Sequence, residues 1–168
     1  MLRRTLLAAT LATPALAQSW RPDRPIEIIV GFTPGGATDV DARLFVRFLE
    51  PRIGGTVVVV NRPGAGGEVA LAAIARGRTD GTIIGTTNMP GLLTIPIERP
   101  AQFKLDDFTP IGNIVGDPSA ISVRADSPYQ TIEQLFEAVR REPESISFGS
   151  PGIGTDDHLL IVLLQQAA

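Results

Sequence analysis

The sequence predicts an α/β fold built on a parallel sheet flanked by helices, followed by a second unit of the same kind that is incomplete. Three observations carry this. Short β-branched runs alternate with helical stretches from residue 26 onward. The connections between them are short, and in a strand–helix–strand series that geometry gives parallel neighbours covered on both faces. A strand–glycine loop–helix pattern then recurs near residue 150 and runs to Ala168 with no further strand after it.

Ile26-Glu27-Ile28-Ile29-Val30 is mostly apolar and reads as a buried parallel strand. It ends at Gly31-Phe32-Thr33-Pro34-Gly35-Gly36, where the period changes. Val40, Leu44 and Phe48, with Phe45 and Leu49, predict one face of a helix. Val57 to Val60 predicts a second strand, stopped by Asn61-Arg62-Pro63-Gly64. An alanine-rich helix follows through Val69 to Ala75, then a third strand over Thr82 to Thr87. After Asn88 the prolines at 90, 96 and 100 predict a loop, and Phe103 to Phe108 a turn. Pro110 to Val115 and Ala120 to Val123 read as short strands. Thr131 and Gln134 fit a capping box, opening a helix with Ile132, Leu135, Phe136 and Val139 on one face and Pro143 beyond its end. Ser145 to Gly149 is a further strand, and an apolar helix starts near Asp156.

Residues 1–17 read as a secretory signal. Arg3 and Arg4 precede a short apolar stretch, Pro14 breaks it, and Ala15-Leu16-Ala17 is a small-x-small cleavage pattern. The stretch is too short to span a bilayer. The chain has no cysteine, which excludes disulfides, thiolate metal sites and a lipid-modified N-terminal cysteine. The expected location is therefore the periplasm, without a lipid anchor. Without Arg3 and Arg4 the 15 basic side chains fall to 13 against 18 acidic ones, a net charge of about −5. With no basic cluster and few aromatics, nucleic acid is not an expected partner. An anionic ligand would have to be attracted by local dipoles rather than by the field of the whole molecule.

Two loops carry the candidate chemistry. Phe32, Thr33, Pro34, Gly35, Gly36, Ala37, Thr38 and Asp39 form the first; Ser150, Pro151, Gly152, Ile153, Gly154, Thr155 and Asp156 form the second. Each follows a strand and opens a helix, where backbone N–H groups lack intrahelical partners and the helix dipole is positive. Such loops bind small anions, carboxylates and phosphates included. Each is equally a tight turn with Thr38 or Thr155 as helix cap; the matched pair is what points to a cleft between two domains.

Other chemistries fit less well. Gly64-Ala65-Gly66-Gly67 and Gly152-Ile153-Gly154 are fragments of glycine fingerprints, without a full dinucleotide motif or a phosphate-loop Gly-Lys-Ser/Thr. His158 is the single histidine, and no nucleophile elbow surrounds Ser150. The expectation for His158 is a helix residue lining the loop or a satisfied structural side chain, rather than a general base. No catalytic residue, metal site or cofactor is expected, and Asp39, Asp156 and Asp157 are read as first-turn carboxylates that complement the dipole.

The run Pro25 to Asp39 resembles the opening of the substrate-binding receptors of tripartite tricarboxylate transporters, the Bug-type receptors. So do Val60 to Gly67 with the alanine-rich helix after it, Asp80-Gly81-Thr82, and Phe148 to Thr155 through His158-Leu159. The resemblance implies a periplasmic-binding-protein-like two-domain fold that closes by a hinge on a small organic anion, a di- or tricarboxylate or an acidic amino acid, for delivery to membrane permease subunits. It implies one carboxylate on Phe32 to Asp39, mainly the N–H groups of Gly35, Gly36 and Ala37. The other falls on Ser150, Gly152, Gly154 and Thr155, with Asn88 as a side wall. Domain one then spans 18–112 and the start of domain two 113–168. Gly31 departs from the family's usual proline, and family members run to nearly twice this length. The expectation drawn is a receptor cut short in its second domain, the alternative being a non-transport fragment that folds with a separate partner half.

Overall fold

The computed structural model describes residues 20–167, so the signal segment assigned to 1–17 lies outside the described residues. The core is a three-stranded parallel sheet in the order β2-β1-β3, with β1 Ile26–Val30, β2 Val57–Asn61 and β3 Ile83–Thr86. Ile28 stands opposite Val59 on one side and Ile84 on the other. As the central strand, β1 is almost fully buried, which is why its sequence is apolar nearly throughout.

Helix α1, Ala37–Ile53, covers one face. Its Ala42, Phe45, Val46, Leu49 and Ile53 pack on Ile26, Ile28 and Val30. The sequence expectation was partly wrong here: Phe45 and Leu49 face the core, but Val40, Leu44 and Phe48 are about half exposed. The helix is apolar on two sides, and only the side carrying Ala42 allows close approach to the sheet. Helix α2, Glu68–Ala75, covers the opposite face. Gly85 lies level with Ile29 in the sheet, and a Cβ there would sit 2.0 Å from Ile74 Cδ1. The missing side chain on β3 is therefore what lets α2 settle.

The stretch after Asn88 is not a loop but helix α3, Gly91–Glu98, with Pro96 inside it. Leu92 and Ile95 bury against Leu71 and Phe103, and this offsets the hydrogen bond Pro96 cannot donate. A 3-10 turn at Leu105–Asp107 follows, with Phe103 and Phe108 edge to face at 5.6 Å.

The strands expected over Pro110 to Val115, Ala120 to Val123 and Ser145 to Gly149 do not form among the described residues. Residues 109–124 form no regular element and are largely exposed, with no ladder partner among the described residues. Their β-branched content suits a strand, but a strand exists only when another backbone takes up its hydrogen bonds. Helix α4, Ile132–Arg141, forms as expected and stops before Pro143. Thr131 Oγ1 accepts the Gln134 N–H at 3.3 Å, whereas Gln134 Oε1 accepts from Gln130, one residue earlier than in a standard capping box. Helix α5, Asp156–Ala167, is the final element. No helix among the described residues is long and apolar enough to cross a membrane.

Candidate functional site

The first loop is shaped by one buried carboxylate. Asp39 is 2% exposed, and each of its oxygens is occupied. Oδ2 accepts the Gly35 N–H at 2.8 Å and Arg43 Nε at 2.9 Å, while Oδ1 accepts Asn61 Nδ2 at 2.9 Å. Asn61 also donates to the Phe32 carbonyl at 3.1 Å and accepts from Arg43 at 3.2 Å. The Arg43 guanidinium, the Gly35 N–H and the Asn61 amide hold the Asp39 carboxyl well below the usual carboxylate range. The Asp39 side chain is thus a strut rather than a ligand-facing group.

That strut also revises which donors face outward. The Gly35 N–H is spent on Asp39 and the Gly36 N–H on the Thr33 carbonyl at 3.2 Å. Gly36 is the cap of α1, without a side-chain cap bond, and the Val40 N–H returns to its carbonyl. The N–H groups of Ala37, Thr38 and Asp39 have no hydrogen-bond partner among the described residues. Of the three donors expected, only Ala37 is open, and Thr38 and Asp39 join it. Thr38 is not the cap: its hydroxyl donates to Asn88 Oδ1 at 3.2 Å, tying the loop to the end of β3.

In the second loop Thr155 is the cap of α5. Its hydroxyl accepts the His158 N–H at 3.4 Å and donates to the Gly152 carbonyl at 2.7 Å. His158 Nδ1 accepts the Gly154 N–H at 3.3 Å, so the histidine closes the same cap from the other side. The N–H groups of Gly154 and Thr155 are thereby occupied, the latter on Gly152. Those of Gly152 and Ile153 remain without a partner among the described residues, as does the exposed Ser150 hydroxyl.

A cleft joins the loops, lined by Phe32, Asn88 and Thr155 together with Gly31, Gly66, Gly67, Thr86 and Thr87. Its enclosed part is about 10 Å³, room for one water. Thr33, Pro34 and Gly35 lie exposed on the outer rim of the first loop. Gly152 and Gly154 pack instead on the wall: a Cβ at Gly152 would lie 2.8 Å from Gly66 Cα, and the Thr94 hydroxyl donates to the Gly154 carbonyl. Sequence reasoning missed Gly66, Gly67, Thr86 and Thr87 as lining. The Gly-Ala-Gly-Gly run and the paired threonines closing a strand were the available signals. Among the described residues no group of three His, Cys, Asp or Glu is placed to hold a metal.

Comparison with known proteins matches residues 42–168 to the family described as the tripartite tricarboxylate transporter family receptor. That match begins after the first loop, but the relatives extend across it. A protein of Pseudomonas sp. (strain P51), described as a UPF0065 protein in the tcbD-tcbE intergenic region, is 38% identical over 165 residues, 97% of this chain and 49% of its own. Protein BugT of Bordetella pertussis is 32% identical, covering 95% of this chain and 50% of the relative. Among solved structures, the periplasmic binding protein BugD superposes with a TM-score of 0.74 at 31% identity, over 87% of this chain and 49% of that one. R. palustris Rpa4515, solved with adipate, gives 0.80 at 29% identity, over 86% and 49%. The chain spans about half the length of the curated relatives it matches. By the extent of these matches, this chain belongs to the tripartite tricarboxylate transporter receptor family.

Proposed function

We propose that the chain carries the anion-reading half of a periplasmic solute-binding receptor, which captures a small organic dicarboxylate for delivery to membrane permease subunits. The observation that carries this is the open start of α1. Three consecutive N–H groups, on Ala37, Thr38 and Asp39, are unpaired, and the Thr38 hydroxyl ties this helix start to Asn88, which lines the cleft together with Thr155 of the second loop. A 17-residue helix adds its dipole at that point. The nearest buried carboxylate, Asp39, is neutralised by Arg43 and does not repel an anion. The first carboxylate of the ligand takes the Ala37–Asp39 amides. The second takes the Gly152 and Ile153 amides and the Ser150 hydroxyl, with Asn88 and Thr155 as walls. Because the enclosed space holds only a water, the ligand spans the open mouth of the cleft between the two loops rather than entering it.

A titration calorimetry series tests the reading, with adipate, glutarate, butyrate and sulfate added to the chain. Adipate or glutarate is expected to bind at micromolar strength and at least tenfold more tightly than butyrate, since two charge-assisted contacts replace one. Equal binding of all four, or tightest binding of sulfate, would refute a dicarboxylate receptor.

A further inference from the structure

The turn at residues 64–67 lies between the two loops and touches both. On one side a Cβ at Gly31 would lie 3.0 Å from Gly67 Cα, and the Phe32 ring reaches within 3.8 Å of a Cβ position on Gly67. On the other, a Cβ at Gly66 would lie 2.9 Å from the Ile153 carbonyl oxygen. Backbone meets backbone on each side, so the thickness of this turn fixes how far apart the loops stand.

The turn also has an unusual conformation. Gly64, Ala65, Gly66 and Gly67 have φ of 140°, 49°, 67° and 98°, four positive values in succession. Glycine adopts these freely, but Ala65 carries a Cβ and does not. A non-glycine residue stays there only where its surroundings over-determine it. Arg99, at the end of α3, does so with all of its fork. Nη2 donates to the Ala65 carbonyl at 2.9 Å, Nε to Glu68 Oε2 at 3.0 Å and Nη1 to Glu98 Oε2 at 3.0 Å. Glu68 is buried, and its other oxygen accepts the Gln102 N–H at 3.2 Å. The guanidinium thus pins both ends of the turn to α3.

We infer that the Gly64–Gly67 turn, held by Arg99, is the spacer that sets the distance between the two anion loops, and so selects the length of dicarboxylate the site accepts. This rests on the function proposed above. Arg99 acts as a positioning residue, since its own contacts are with Ala65, Glu68 and Glu98 rather than with the cleft. Lysine is a point charge on a flexible stem and cannot hold three acceptors at once.

The test is a length profile: affinities of the full chain for the linear series from malonate to suberate, with butyrate as a one-ended control. The wild type is expected to show one preferred length. Arg99→Lys should weaken that member by about tenfold and flatten the profile, with butyrate changed by less than about twofold. Gly66→Ala, which pushes on the Ile153 carbonyl, should move the preference toward a longer diacid, and it keeps the question open if Arg99→Lys does not fold. Folded variants that both retain the wild-type profile overturn the spacer. A wild type that binds no diacid better than butyrate overturns the dicarboxylate reading itself.

Discussion

Ala37→Pro is expected to weaken dicarboxylate binding by about 10- to 100-fold while leaving the melting temperature within about 2 °C of wild type. Proline removes one N–H from the three that stand open at the start of α1. A hydrogen bond to a charged group contributes about 1.5–3 kcal/mol, and no other group replaces this one. The helix tolerates the change because Ala37 is its first residue, where the N–H has no intrahelical partner and the fixed φ of proline is already helical. Gly36 before it has φ −71° and ψ 166°, the extended geometry a residue preceding proline requires. Ala37 is exposed, so the ring meets no packed neighbour. Calorimetry paired with a thermal melt separates the two effects. A variant that binds as wild type does would remove the first loop from the ligand site.

Asp39→Asn is expected to cost about 10 °C of melting temperature at pH 7 and to abolish measurable dicarboxylate binding. Asparagine keeps the shape but replaces one acceptor oxygen with a donor. Whichever way the amide turns, it meets a donor: Asn61 Nδ2 on one side, or the Gly35 N–H and Arg43 on the other. The carbonyl of Phe32 then loses its fixed partner, because Asn61 must turn to compensate. The pH dependence has a definite sign. The folded carboxyl titrates below its ordinary value of 3.8, so its contribution is whole above that value and is lost as pH falls through the folded one. The gap between wild type and variant should therefore hold steady from neutral pH to about 5 and close below about 4. A gap that persists unchanged in acid would mean that Asp39 acts through shape alone.

How far the sequence announced this depends on whether the deciding partner was local. β1 was legible because a buried central strand needs apolar residues on both faces, and Ile26 to Val30 supplies them. The caps of α4 and α5 were legible because Thr131–Gln134 and Thr155–His158 meet within one turn. The core face of α1 was not, since Val40, Leu44 and Phe48 repeat at helical spacing as well as Ala42, Val46, Leu49 and Ile53 do. Only the sheet decides between them. The segments near 112, 121 and 147 have strand composition, but pairing is a property of two backbones and composition describes one. Helix α3 was hidden by Pro96, whose cost is met by burial of Leu92 and Ile95 against residues far away in sequence.

The site divides the same way. The position of the first loop followed from glycines between a strand and a helix, and that of the second from the glycines ahead of α5, although no strand precedes it. The identity of the open donors did not, because Asp39 takes the Gly35 N–H only when Asn61, 22 residues on, completes its cage. Arg43, four residues after Asp39, was the local hint that this carboxylate is paired. The wall at Gly66 and Gly67 was visible as a glycine run, yet its contact with Gly31 on one side and Gly152 on the other belongs to the fold alone.

The most direct test of the central claim is an amide proton–nitrogen NMR titration of the chain with adipate. If the two loops read the two carboxylates, the amides of Ala37, Thr38 and Asp39 shift together with those of Gly152 and Ile153, along one binding curve. The Gly35 amide, held by Asp39, moves little. Shifts at the first group alone would leave an anion site without a second contact. A folded spectrum in which neither group responds would contradict the account.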